Sequence, residues 1–228
     1  MGLNSQKGNM YDFVTHTWNT IKGECPHNCR YCYMTAIRKR FNKGSQPPRF
    51  DESELRTNLG TGNFIFVGSS NDLFAAGQPD EWITRTLDHC DRFDNRYLFQ
   101  SKNPFRILDF IGHPVFKKAV ICTTLESNYF FPQDMKEAPA PVERSAAMRD
   151  IAERGIPTYV TVEPIMGFRL ETFVRLIRAC NPVQVNIGAD SGHNRLTEPS
   201  KDEVLALIAA LEQFTTVKQK SNLARLLK

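Results

Sequence analysis

The stretch THTWNTIKGECPHNCRYCYM, residues 15–34, carries Cys25, Cys29 and Cys32 in a C-x3-C-x2-C pattern, with Tyr31 directly before the last cysteine. Three thiolates on one short loop suit three corners of a cubic iron–sulfur cluster, whereas a structural [4Fe–4S] cluster takes four cysteines. The remaining iron keeps an open position, and an open position on a metal is where a small molecule binds and reacts. The spacing alone shows a tri-thiolate metal site. His27 lies between Cys25 and Cys29, so a Cys3His zinc site is the main rival. No second Cys/His pair lies nearby to form the paired knuckles usual in structural zinc sites. A disulfide framework does not suit six cysteines in 228 residues, since a chain of this length needs no staples.

Outward from the loop, apolar runs alternate with amphipathic ones. Strands are expected over Tyr11–Trp18, Asn63–Gly68, Arg96–Ser101, Lys118–Thr124, Thr158–Pro164 and Val183–Asp190, each a short apolar run. Helical patterns follow in YMTAIRKRF, in DEWITRTLDHCDRF with Asp80 as N-cap, in PFRILDFIG, in PVERSAAMRDIAERG between Pro141 and Gly155, and in LETFVRLIRAC. The last, SKDEVLALIAALEQF, starts at Ser200 with Glu203 three residues on, a capping box. The segment NKGSQPPRFDESEL (42–55) reads as a loop, and residues 216–228 as a basic tail behind a core spanning 11–215 of a single domain. Six strand–helix units imply an α/β fold with a parallel sheet and outer helices. Periodicity does not separate a partial barrel from a doubly wound open sheet, because both bury their strands on both faces.

In either architecture, chemistry gathers at the carboxyl ends of strands. Those ends carry the cysteine loop; Gly68, Ser69, Ser70, Asn71 and Asp72; Lys102 and Asn103; Thr123, Thr124, Glu126, Ser127 and Asn128; Glu163; and Asn186, Gly188, Asp190 and Ser191. Lys102 and Glu163 stand out, because a charge inside or just after an apolar strand is costly without a partner. Cys90, Cys122 and Cys180 sit in apolar or helical surroundings and read as buried core thiols.

A net charge of +4 with 41% hydrophobic residues allows a sizeable core and lacks the strong basic excess of an obligate nucleic-acid binder. No apolar run resembles a signal peptide or approaches a membrane span, so a soluble, cytoplasmic protein without membrane contact is expected.

C-x3-C-x-aromatic-C resembles the signature of the radical S-adenosylmethionine (SAM) superfamily. The resemblance implies a partial (β/α)6 TIM-like barrel whose [4Fe–4S] cluster is held by Cys25, Cys29 and Cys32. It implies SAM on the open iron, an electron donor of the flavodoxin or ferredoxin type, and cleavage of SAM to a 5′-deoxyadenosyl radical that takes hydrogen from a substrate. It further implies that Gly68, Ser69 and Ser70 stand where the superfamily has a Gly-Gly-Glu-like turn for the SAM amine; serines replacing that turn are a departure. Thr124, Glu126 and Ser127 would hold the ribose hydroxyls, and Tyr31 would pack near the adenine, which Gly188 would let approach. Lys102, Glu163 and Asp190 are left for SAM carboxylate binding, substrate binding or proton transfer. More narrowly, THTWNTIKGEC, FIFVGSSNDLF, FQSKNP, CTTLESN, TVEPIMGF and NIGADSG resemble segments of a phage-associated, radical-SAM-like family of poorly defined function, whose common form has more residues between the cysteines. That resemblance points to a nucleobase, best a thymidine in phage DNA, modified in the host cytoplasm. The basic stretch YMTAIRKRFNKG and the basic tail would then face phosphates. A glycyl-radical-enzyme activase and a non-catalytic zinc-binding module are the alternatives.

Overall fold

Short apolar strands, most of them four to six residues long, build a sheet that runs almost entirely in one direction. The computed structural model describes residues 2–6, 10–41, 44–192 and 194–228. In chain order, β1 (Asn4–Ser5) and β2 (His16–Trp18) precede β3 (Ile21–Lys22), the cysteine loop and α1 (Tyr33–Arg40). Next come β4 (Arg49–Phe50), β5 (Phe64–Val67), α2 (Asp80–Asp91) and β6 (Arg96–Gln100). Two 3-10 turns, Pro104–Phe110 and Pro114–Lys118, lead to β7 (Ala119–Thr124). The chain continues through α3 (Pro132–Met135), α4 (Pro141–Glu153), β8 (Thr158–Val162), α5 (Leu170–Ala179), β9 (Gln184–Ile187), α6 (Lys201–Leu211) and β10 (Thr216–Gln219).

The sheet order is β1-β2-β5-β6-β7-β8-β9-β10. Every pairing from β2 to β10 is parallel, and only the edge strand β1 is antiparallel. Neighbours in sequence are neighbours in space, as short right-handed crossovers favour. The fold is α/β, a partial TIM-like barrel. The six expected strands are all present, somewhat shorter than their apolar runs. The first is the most reduced: only His16–Trp18 pairs in the sheet, while Tyr11 and Val14 turn beneath it. Residues 216–228 are not a tail. Thr216–Gln219 pairs in register with Gln184–Ile187 as a seventh parallel strand, and Leu223 just beyond it is buried. The segment expected as a loop carries β4, paired with β3; Asn42 and Lys43 lie outside the described residues.

Alternation along each strand sorts side chains to two faces. Ile65, Val67, Tyr97, Phe99, Ile121, Val160, Val162, Val185 and Ile187 pack with helix residues into the main core. On the inner face, Tyr11, Val14, Phe66, Leu98, Val120 and Cys122 form a second cluster. Cys90 and Cys180 belong to the main core, so all three isolated cysteines are buried thiols, as expected. Helix ends follow local chemistry. The backbone N–H of Ser200 donates to Glu203 Oε2 at 2.7 Å, and Glu203 N–H donates to Ser200 Oγ at 3.4 Å, closing the capping box. Asp80 does not cap α2. Pro79 holds that position without a side-chain bond, and Asp80 pairs with Arg106 instead.

His89 adds a pH dependence to the core. It stacks on Trp18 with ring centroids 4.9 Å apart, and its Nε2 lies 2.8 Å from the Thr57 carbonyl oxygen. Its buried Nδ1 has no partner among the described residues. Burial, helped by the charge of Arg92 and opposed by the Thr57 bond, lowers its pKa. An unfolded histidine titrates at about 6.5. Below that pH the unfolded chain takes up a proton that the folded chain resists, so this contribution to stability is present above about 6.5 and is lost as pH falls through the lower folded value. The thermal midpoint should therefore drop between about pH 7 and pH 5.5. In His89→Gln that part of the slope should flatten.

Candidate functional site

The carboxyl ends of the strands surround a cavity of about 710 Å³, within the ~300–1,000 Å³ usual for ligand pockets. Cys25, Cys29 and Cys32 all line it, with His27, Tyr31, Gly68, Ser69, Ser70, Asp72, Lys102, Thr124, Glu163 and Asp190. The cysteine loop leaves β2 through β3, and the cavity wall continues into α1 with Tyr33, Met34 and Arg38. Gly23 is needed where the loop begins: its φ is +94°, and a Cβ there would lie 2.3 Å from the Pro47 carbonyl oxygen.

Asp72 anchors the loop. Its Oδ2 accepts from Ser101 Oγ at 3.0 Å and from the Lys102 backbone N–H at 2.8 Å, and it lies 2.8 Å from His27 Nε2. Its Oδ1 accepts from the Phe74 N–H at 2.9 Å. Burial alone would raise this carboxyl, but the His27 bond and charge, with the Lys102 and Ser101 bonds, hold it below the usual carboxylate range. One buried anion thus ties the cysteine loop to the ends of β5 and β6. Burial first, and then the Asp72 charge, pushes the Cys25 thiol up to about 12. Asn19 pins the Gly68–Ser70 turn: its Oδ1 accepts from Ser70 N–H at 2.8 Å and Ser70 Oγ at 2.9 Å. The Ser69 carbonyl accepts from Tyr33 Oη.

A second network stands behind the wall. Lys102 Nζ donates to Tyr31 Oη at 2.7 Å and pairs with Glu126 Oε1. It lies 4.3 Å from the centroid of the Tyr31 ring. Tyr31 Oη donates to the same carboxylate oxygen. Arg144 of α4, fully buried, donates to Glu126 Oε2 at 2.8 Å and to the Thr124 carbonyl at 2.9 Å. Burial would raise the Glu126 carboxyl, but Arg144 first and Lys102 next outweigh it and keep the group ionised, well below its ordinary value.

Three of the expected site residues lie off the cavity lining. Glu126 does not line the cavity; both of its oxygens are engaged by Lys102, Tyr31 and Arg144. Ser127 also lies off the cavity, donating to the Gly167 carbonyl at 2.6 Å. Gly188 does not open space for a base. A Cβ there would stand 2.8 Å from the Glu163 carboxylate, so the glycine makes room for Glu163. Gly188→Ala should displace that carboxylate and cost about 1–3 kcal/mol in chemical denaturation. Asp190 lines the cavity, but its oxygens accept from Gly192 N–H at 3.0 Å and from the Asn194 backbone and side chain, which makes it the pin of a turn. Thr124 lines the cavity, its Oγ1 accepting from Gln100 Nε2 at 3.1 Å.

Glu163 is held by two residues that lie beyond the expected core. Lys220 Nζ pairs with its Oε2 at 2.5 Å, and Asn222 Nδ2 donates to its Oε1 at 2.7 Å. No local signal marked Lys220 or Asn222, because TVKQKSN has neither an apolar run nor a motif. Tyr11 and Gln100, also missed, line the cavity and bond each other at 2.8 Å.

The three thiols fit a cluster held at three corners. They come from one loop, they share one cavity wall, and Cys90, Cys122 and Cys180 lie in the hydrophobic clusters. Among the described residues no three His, Cys, Asp or Glu side chains are grouped so as to hold a single metal ion. No helix among the described residues is long and apolar enough to cross a membrane.

No family model matches the sequence, and no curated protein does. Solved structures do match. One is a double mutant of spore photoproduct lyase with bound AdoMet and dinucleoside spore photoproduct, with a TM-score of 0.69 at 13% identity, covering 94% of this chain and 78% of that one. Another is Streptococcus suis SuiB bound to S-adenosylmethionine, with a TM-score of 0.53 at 8% identity, covering 89% of this chain and 49% of that one. SuiB also matches in a structure bound to precursor peptide SuiA. Both hold S-adenosylmethionine, and at these identities the likeness is one of fold.

Proposed function

We propose that the protein is a radical SAM enzyme that acts on a nucleobase. The observation that carries this reading is the placement of Cys25, Cys29 and Cys32 together on the wall of a cavity at the carboxyl ends of a parallel partial barrel. When bound there, a [4Fe–4S] cluster would supply one electron to SAM on its open iron, breaking a C–S bond to leave methionine and a 5′-deoxyadenosyl radical that takes a hydrogen atom from the substrate. The chain's own residues position and enclose. Cys25, Cys29 and Cys32 would hold the cluster from one cavity wall. Ser69, Ser70, Lys102 and Thr124 line the cavity as contacts for SAM, and Tyr31 is fixed by its bonds to Glu126 and Lys102. The electron would come from a flavodoxin- or ferredoxin-type donor in the cytoplasm.

The nucleobase reading is supported at the cavity edge. Tyr33, Ile37 and Phe41 are exposed along α1 and its end, next to Arg38 at the cavity wall and Arg40. Interleaved aromatic and basic groups suit bases and phosphates. A thymidine in phage DNA remains the substrate we favour, and the lyase neighbour is one that binds a dinucleoside. A peptide substrate is the second reading, favoured by SuiB's bound peptide. The test is anaerobic purification, reduction by dithionite, addition of SAM and mass spectrometry of the products, with nucleosides or peptides added. Formation of 5′-deoxyadenosine that rises with nucleosides supports the proposal. No 5′-deoxyadenosine under any condition would remove it, and a rise with peptides alone would move the substrate to the second reading.

A further inference from the structure

One polar pair in the cavity wall has hydrogen-bonding capacity left over. Tyr11 Oη bonds Gln100 Oε1 at 2.8 Å and lies 2.7 Å from Thr161 Oγ1. Gln100 Nε2 donates to Thr124 Oγ1 at 3.1 Å. These groups satisfy one another. Glu163 and Lys220 differ. Both line the cavity, with side chains 17% and 12% exposed. A carboxylate oxygen can accept from more than one donor, and an ammonium carries three N–H groups. Glu163 Oε2 takes one bond from Lys220. Lys220 directs a second sector of its charge at the Tyr11 ring, 4.9 Å from the centroid, which leaves a third N–H.

The structure fixes this pair from behind. Gly188 carries no Cβ, and the carboxylate lies in the space a Cβ would take. Asn222 Nδ2 binds Glu163 Oε1 and also reaches the Ala189 carbonyl at 2.8 Å, which sets the carboxylate plane. A partly buried ion pair is weak as a source of stability, since desolvation offsets its attraction. A donor and an acceptor held side by side at a cavity wall are instead suited to reading a ligand.

The geometry points to Glu163 and Lys220 as a reader of a nucleobase edge, with Lys220 donating to a ring carbonyl and Glu163 Oε2 accepting from the adjacent ring N–H. The two atoms stand 2.5 Å apart, close to the separation of neighbouring acceptor and donor on such an edge. This inference rests on the nucleobase reading above and names the residues that select the base.

The test is equilibrium dialysis of the anaerobically reconstituted full-length enzyme with SAM, without reductant, against thymidine and N3-methylthymidine. The methyl group removes the N–H and keeps the rest of the base. Thymidine should bind more tightly than N3-methylthymidine by roughly ten-fold or more, the worth of one hydrogen bond to a charged group. Glu163→Leu, with folding checked by thermal unfolding, should lose that preference, while Lys220→Met should weaken binding of thymidine and keep the preference. Absence of thymidine binding, equal binding of the methylated nucleoside, an unchanged preference in folded Glu163→Leu, or unchanged thymidine affinity in folded Lys220→Met would overturn the inference. Binding is read without turnover, so a protein that binds thymidine in this way but never forms 5′-deoxyadenosine would sink the radical chemistry and leave the edge reader standing.

Discussion

Replacing any one of Cys25, Cys29 or Cys32 with alanine should abolish both iron retention and formation of 5′-deoxyadenosine, while Cys122→Ser should keep both. The contrast follows from where the thiols lie. The first three line one cavity. Cys122 lies away from it in the inner hydrophobic cluster, where Thr161 approaches its Sγ at 3.4 Å. Metal ligation requires a thiolate. A cluster supplies positive charge at its irons, which ionises thiols on the cavity wall and leaves a neutral core thiol untouched. Losing one of only three ligands exposes a second iron corner, so the effect should be complete rather than graded. Iron and sulfide analysis of each variant, beside a mass-spectrometric assay of SAM products, reads both outcomes. Retention of activity in Cys29→Ala would remove that residue from the ligand set.

Arg144→Met should be the most destabilising single change away from the cavity. Arg144 and Glu126 are both fully buried. Removing the guanidinium leaves an ionised carboxylate with only Lys102 and Tyr31 to hold it, and breaking a buried pair in this way costs about 3–5 kcal/mol. The double replacement Arg144→Met with Glu126→Leu should recover part of that loss, because it leaves no charge behind. Urea denaturation of the single and double variants measures both. The pair also fixes Tyr31 and Lys102 at the cavity wall, so the single variant should weaken SAM binding even where it remains folded. A single variant as stable as the wild type would show that the ion pair contributes nothing net.

The cysteine loop was legible because its information is local: three cysteines within eight residues, at a spacing that reads without any partner. The strands were legible for the same reason, since NFIFVG, RYLFQS and AVICTT announce burial in their own composition. The Ser200–Glu203 capping box was likewise written in four consecutive residues. What escaped depends on contacts across long sequence distances. Glu126 reads as a rim carboxylate until Arg144, eighteen residues on, is found buried on a helix whose pattern suggests that an arginine faces water. Gly188 reads as a gap for a ligand until Glu163 is seen to occupy it. Lys220 and Asn222 sit in a polar segment whose strand exists only because β9 offers an edge to pair with. Asp190 is a charge after an apolar strand, as a catalytic group would be, and the turn that consumes it lies in the following four residues. Asp72 was visible as one of many polar residues at a strand end, but its role as the anchor of His27, Ser101 and Lys102 belongs to three separate segments.

The central claim is a cluster with one iron left free by the protein. Electron paramagnetic resonance of the anaerobically reconstituted, dithionite-reduced enzyme, recorded with and without SAM and paired with metal analysis, tests it most directly. The account predicts about four irons per chain and a reduced-cluster spectrum that changes when SAM is added. One zinc per chain with no signal, or a cluster spectrum indifferent to SAM, would contradict it.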